Sequence, residues 1–273
     1  MSRKYNQAYE NNIDSLNFLL SREREKPPLG DFLSGNDIQA SMRDKLVQWM
    51  FKLSQDLSLQ LETTQFAISL MDLFLSKVKT AKSVIQLLGV VCLMISTKFN
   101  ENRLFTLQDA LFHTGKQYKI NEVQLTEVFI LHKLEWRLNI TTASELVRRL
   151  FILTGLENDF SRIYERIDAF TCVCYGNYEL SQYRVLEIAI ASSICTLEQF
   201  NQINFRNQWV QLLFNQGILD VGSVDLCKRT LLRVLYSQTS PYDAHKLSPI
   251  TLDSIETYIR RNNDEKSRLI NNA

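Results

Sequence analysis

The residues best placed to do chemistry in this chain are one cation and one anion. Lys98 closes a stretch beginning at Leu87 that is apolar for most of its length, and Phe99 and Glu101 follow it. An ammonium at the end of such a run needs a partner, because a lone buried charge is costly. Glu127 is one of the acids downstream that could serve. It precedes an apolar run that ends in Leu134-Glu135-Trp136. A Lys–Glu pair offers a long-reach donor and a long-reach acceptor, and it partly neutralises itself when desolvated. Such a pair could fasten the backbone of a partner loop, or it could simply tie two helices of one domain together. The residues alone leave both readings open.

Covalent and metal chemistry find no support. His113, His132 and His245 are too scattered for a metal site. The five cysteines, Cys92, Cys172, Cys174, Cys195 and Cys227, include no C-x-x-C pair. Cys172-x-Cys174 on a helix would point its two thiols apart. Neither G-x-G-x-x-G nor G-x-x-x-x-G-K-[ST] is present, so no phosphate-cradling loop is expected. No catalytic residue, metal or cofactor is expected.

The elements that must position the pair are helical. The chain has 273 residues with 8 Gly and 4 Pro, a poverty of turn residues that favours long helices. Hydrophobic residues make up 45%, enough for a sizeable core. The net charge of +1 gives no basic footprint for nucleic acid. An odd number of cysteines set in apolar helical patterns suits a reducing compartment, the nucleus or cytoplasm. Neither a leader peptide nor a membrane span is expected.

The periodicity predicts an N-terminal helix and loop over 1–35, with Tyr9, Ile13, Leu16, Leu19 and Leu20 on one face. A five-helix group over 36–140 follows, with helices near 37–55, 63–78, 82–100, 106–114 and 121–136. Asn121 is the expected N-cap of the last, and Glu62-Thr63 the expected start of the second. The segment 82–100 is apolar all round and must be central. A second group over 141–240 has helices near 143–154, 159–176, 182–200, 205–215 and 223–236. Thr142-Ala-Ser-Glu145 reads as a capping box and Gly155 as a stop. Its segment 182–200 repeats the small-apolar character of 82–100 and ends on Phe200 as the other ends on Phe99. The tail, 241–273, holds one more candidate helix at 251–261.

Several motifs, in order and spacing, resemble the cyclin box. Met42-Arg43-x-x-Leu46-x-x-Trp49 is similar to the family's Met-Arg-x-Ile-Leu-x-x-Trp. Leu70-Met-Asp72-x-Phe74-Leu75 resembles the second-helix motif. Gln86-Leu87-Leu88-Gly89 leads into Ser96-Thr97-Lys98-Phe99-x-Glu101, similar to the family's Ala-Ser-Lys-Phe-Glu-Glu. Glu127-x-x-Ile130-Leu131-x-x-Leu134-x-Trp136-x-Leu138 fits the fifth helix without a gap. The resemblance is close over residues 9–140 and looser beyond. Trp136 and Phe170-Thr-Cys-Val-Cys174 lean toward the D-type branch.

The resemblance implies an all-α fold of two tandem five-helix cyclin-box domains with an N-terminal helix. It implies a regulatory subunit, not an enzyme, that binds and activates a cyclin-dependent kinase as a heterodimer and so controls cell-cycle progression. The kinase-facing residues would be Lys98, Glu127, Phe99, Leu131, Leu138, Ile95 and Ile13, several of which could equally be core. Arg43 and Asp72 would form a structural ion pair. Met42, Lys45, Leu46, Trp49, Lys52 and Gln86 occupy the positions of the family's substrate-docking patch, which would make kinase substrates and inhibitors further partners. Here the family's Ile is Lys45, and its acidic residue after the Trp is Lys52. Two added cations should repel the basic Arg-x-Leu peptides that the patch takes elsewhere. A cyclin-like scaffold without kinase activation and a binding module of the general-transcription-factor type remain as alternatives. No direct nucleic-acid or membrane contact is expected.

Overall fold

In the computed structural model, residues 2–25, 28–153 and 161–238 are described. Among them the chain is helical throughout, with no strand. The expected helix at 251–261, the Gly155 stop and His245 lie outside the described residues, as does the Tyr9 side chain. The helices are α1 (Ser2–Glu25), α2 (Ala40–Asp56), α3 (Leu61–Lys77), α4 (Ile85–Asn100), α5 (Leu107–His113) and α6 (Ile120–Lys133). They continue with α7 (Ala143–Ile152), α8 (Ser161–Gly176), the short α9 (Tyr178–Ser181), α10 (Val185–Gln199), α11 (Ile203–Asn215) and α12 (Val221–Gln238).

The chain divides into two compact units, each organised around one buried helix. The first comprises Leu29–Ile140 together with Tyr175–Gln182. At its centre is α4, in which every residue from Leu87 to Thr97 is buried. Helices α2, α3, α5 and α6 pack against it. By length and hydropathy alone Lys82–Asn100 would suffice to cross a membrane. Its apolar surface is instead covered by neighbouring helices, as for the core helix of a globular domain. Gly89 sets the approach of α2. A Cβ there would lie 3.0 Å from Leu46 Cδ1, so a larger residue would require the Leu46 side chain to give way by a few tenths of an ångström.

A buried ion pair fixes α2 to α3. Arg43 Nη2 lies 2.6 Å from Asp72 Oδ2 and Arg43 Nε donates to Asp72 Oδ1 at 3.1 Å. The remaining fork of the guanidinium donates to Tyr175 O at 2.6 Å and to Asp44 Oδ1 at 3.1 Å. Burial pushes the Asp72 carboxyl above the ordinary carboxylate range, and the Arg43 guanidinium pulls against that shift. Full satisfaction of the fork is what makes a buried pair tolerable.

The second unit takes in α1, Thr141–Cys174 and the chain from Tyr183 on. Helix α10 is its buried centre, with α7, α11 and α12 against it. It is shorter than the expected 182–200, because Gln182 and Tyr183 turn and Arg184 is extended. Thr142 Oγ1 accepts from the Glu145 N–H at 3.3 Å and starts α7. Helix α1 belongs to this unit through Leu16, Leu19 and Leu20, all buried, and it packs on α7. Asn12 Oδ1 accepts from Arg149 at 2.6 Å, and Arg24 donates to Gly217 O at 3.1 Å. Glu23 Oε1 accepts the Val185 N–H at 3.0 Å, which places an anion at the start of α10.

Several helix starts shift by one to three residues, α2 for instance starting at Ala40 and not 37. Helix α6 begins at Ile120, not after Asn121, because Glu122 Oε2 accepts the Lys119 N–H at 2.6 Å and caps the turn two residues earlier. Helix α3 begins at Leu61, one residue before Glu62. The capping box at α5, Thr106 with Asp109, was not anticipated; its two backbone bonds are 3.2 and 2.8 Å.

Two outcomes follow from this packing. Asp72→Ala should destabilise the chain by ~3–5 kcal/mol, because it strands the buried Arg43 guanidinium; chemical denaturation would measure it, and a loss below ~1 kcal/mol would contradict the assignment. All five cysteines are free and buried, and burial pushes the Cys195 thiol up to about 12 and raises the other four. A thiol reagent at neutral pH should find none reactive in the folded chain and all five after unfolding.

Candidate functional site

The last turn of α4 is where the central helix reaches solvent. Three anchors hold it. Ser96 Oγ donates to Thr63 O on α3. Thr97 Oγ1 accepts the Phe105 N–H at 3.3 Å. Glu101 Oε1 accepts from Gln60 N at 2.7 Å and from Thr63 Oγ1 at 2.6 Å, so this carboxylate caps the start of α3. With Ser96, Thr97 and Glu101 turned to the fold, Lys98 and Phe99 are left at the surface.

Lys98 Nζ contacts Glu127 Oε1 on α6. The lysine side chain keeps 44% of its surface and the glutamate 16%, so the pair is a rim feature, not a core one. Lys98 also sits in the C-terminal turn of α4, where the helix dipole favours a cation. Phe99 stacks on Phe66 of α3 at 6.0 Å between centroids, yet 60% of it is exposed.

Helix α6 turns Val123, Ile130 and Leu131 inward and leaves Leu125, Val128 and Phe129 on the outside. Phe129 is edge-on to Phe74 at 5.8 Å, with the Lys133 ammonium 5.4 Å from its ring centroid. Beyond α6, Glu135 and Trp136 both take left-handed backbone angles, φ 54° and 58°. For residues with a Cβ this conformation costs about 1–2 kcal/mol each. The turn returns Leu138 to the core and leaves Trp136 68% exposed. An exposed Phe beside an ion pair at the end of a buried helix is a surface arranged for contact.

Of the residues that the sequence singles out, Lys98, Phe99 and Glu127 meet at this surface. Leu131 and Leu138 are buried just beneath it, and Ile95, 1% exposed, is core. Ile13 lies half-buried on α1 in the other unit. Val128, next to Glu127 on α6, and Trp136, past its end, are also exposed and were not singled out as contact residues. Their signal was an apolar residue off the buried stripe of α6 and a Trp just past the helix end. On α2, Leu46 is buried, Met42 and Trp49 are half-buried, and Lys45 and Lys52 are exposed; Gln86, in the first turn of α4, is half-buried. His132 is exposed, and no His, Cys, Asp or Glu cluster among the described residues could hold a metal.

Comparison with known proteins agrees with this architecture. The family described as "Cyclin, N-terminal domain" matches residues 14–139. The chain is 26% identical over 233 residues to the G1/S-specific cyclin-D2 of Rattus norvegicus, covering 83% of this chain and 81% of that one. Among solved structures, a viral cyclin from herpesvirus saimiri superposes with a TM-score of 0.71 at 20% identity, covering 84% of this chain and 99% of that one. A chain of the CAK complex of Chaetomium thermophilum, solved with ATP-γ-S, aligns with a TM-score of 0.55 at 13% identity over 98% of this chain and 90% of its own.

The exposure of the Lys98–Glu127 contact fixes what it contributes to folding. Lys98→Ala and Glu127→Ala should each shift the unfolding free energy by less than ~1 kcal/mol, as for other surface pairs. A loss of several kcal/mol in denaturant titration would make the contact an internal tie between α4 and α6.

Proposed function

We propose that this chain, which belongs to the cyclin family through its domain at residues 14–139, binds and activates a cyclin-dependent serine/threonine kinase. The family places it among regulatory proteins, with a lean toward the D-type branch. The observation that carries the finer reading is the end of α4. A helix buried from Leu87 to Thr97 surfaces in its last turn with Lys98 and Phe99, and there Lys98 meets Glu127 of α6.

In this reading the chain has no reacting groups of its own. Its Lys–Glu pair supplies a donor and an acceptor to the backbone of the kinase's regulatory helix and adjoining loop. Phe99, beside Lys98, and Val128, beside Glu127, are the exposed apolar residues that would exclude water from those bonds. Each ion strengthens as water leaves, and each satisfies the other where the partner does not. Activation is then a difference in affinity. The surface binds the conformer with the regulatory helix held inward more tightly than the other, and the population shifts by that difference. The aligned conformer is the one in which the kinase's own Lys–Glu pair and metal-binding Asp are in place. Five buried free thiols suit action in the nucleus or cytoplasm.

The test uses the full chain with a kinase of the same organism identified by co-purification. Lys98→Ala or Glu127→Ala should weaken kinase binding by ~2–5 kcal/mol, a loss of about 30-fold or more, and abolish activation. The melting temperature of the free chain should stay within a few degrees of the unsubstituted protein. If both variants bind and activate normally, or if both unfold, the assignment fails.

A further inference from the structure

A cleft of about 530 Å³ opens between α5 and the start of α6. Leu111, Phe112, Tyr118 and Ile120 line it together with two cations, Lys116 and Lys119, and no acid does. Phe112 keeps 70% of its surface and Ile120 50%. Single exposed apolar residues are ordinary, but here two large ones converge on one concavity. Among the described residues neither lysine is in an ion pair. The neighbouring acid, Glu122, is committed to its cap, Oε2 accepting the Lys119 N–H at 2.6 Å. The cleft also ends at the start of α6, where Lys119 makes no side-chain cap and the helix dipole is positive. An apolar floor beside an uncompensated positive edge suits an apolar segment that carries carboxylates on one flank.

Such a segment exists in this chain. Residues 251–261, outside the described residues, read Thr-Leu-Asp-Ser-Ile-Glu-Thr-Tyr-Ile-Arg-Arg. Leu252, Ile255 and Ile259 recur at helical spacing on one face, and Asp253 and Glu256 fall on one flank of it. We infer that this C-terminal segment docks in the α5–α6 cleft of its own chain, with Leu252 and Ile255 on Phe112 and Ile120 and the two carboxylates toward Lys116 and Lys119. Carboxylates that arrive with the segment compensate the ammonium groups as water leaves. Arg260 and Arg261 follow the acids, so the charge pattern also sets a direction: the acidic half meets the lysines and the basic end points away. Helix α12 ends at Gln238, and the stretch 239–250 can extend to about 40 Å. Tethering gives the segment an effective concentration on the order of a millimolar, so an affinity too weak for a free peptide still fills the cleft within one chain. The inference concerns the free chain and does not rest on kinase binding.

Photo-crosslinking on the full chain tests it, with benzoylphenylalanine at Phe112. After irradiation, mass spectrometry should place the adduct within residues 250–261. Lys116→Glu with Lys119→Glu, both at exposed positions, should cut its yield by about fivefold or more. Adding Asp253→Lys with Glu256→Lys should restore the yield to within about twofold, as for charges that meet directly. Raising the salt concentration should lower the yield in the unsubstituted chain. In a mixture of isotope-labelled and unlabelled chain, every adduct should join segments of the same label. An adduct elsewhere, or none, would overturn the inference. So would adducts of mixed label, which would put a second copy in the cleft. A yield that ignores the charge reversal, or that the compensating pair fails to restore, would overturn it as well.

Discussion

Helix α4 has no solvent-facing side from Leu87 to Thr97, and that burial governs the arrangement of its unit. A helix without a polar face has to be surrounded, so α2, α3, α5 and α6 are arranged against it. Gly89 allows α2 to close in, Arg43 and Asp72 lock α2 to α3, and Glu101 ties the end of α4 to the start of α3. Beyond this buried stretch the helix comes to the surface in its last turn. Lys98 and Phe99 are at the surface because everything before them is buried and Glu101 just after them is bonded inward.

The same logic separates the two ion pairs of this unit. Arg43 and Asp72 are enclosed, and the guanidinium fork is satisfied by two carboxylates and a backbone carbonyl. Such a pair stabilises only as a set, and losing a member is severe. Lys98 and Glu127 remain accessible, so they contribute little to folding and stay free to exchange partners. Two pairs of equal formal charge thus serve opposite ends, and burial is the difference.

Much of this was legible in the sequence. The all-round apolarity of 82–100 and of 182–200 marked both central helices, and the spacing of Met42, Arg43 and Trp49 marked the face of α2. The less legible features are those without a local signature. Glu101 caps α3 across 41 residues, and no spacing rule connects it to Gln60. Glu135 and Trp136 adopt left-handed angles without a glycine to announce them, so the exposure of Trp136 was hidden. The apolar face of α1 was clear from Leu16, Leu19 and Leu20. That it is satisfied within the second unit, with Glu23 at the start of α10, depended on residues more than a hundred positions away.

The central claim is that the end of α4 is where the kinase sits. The most direct measurement is photo-crosslinking with benzoylphenylalanine at Phe99, and at Phe214 on α11 as a control of nearly equal exposure, 60% against 57%. In the presence of the kinase, the probe at Phe99 should give a covalent adduct that maps to the kinase's small lobe, and the probe at Phe214 should give none. An adduct at Phe214 with none at Phe99, while the kinase remains bound, would place the partner elsewhere and contradict the account.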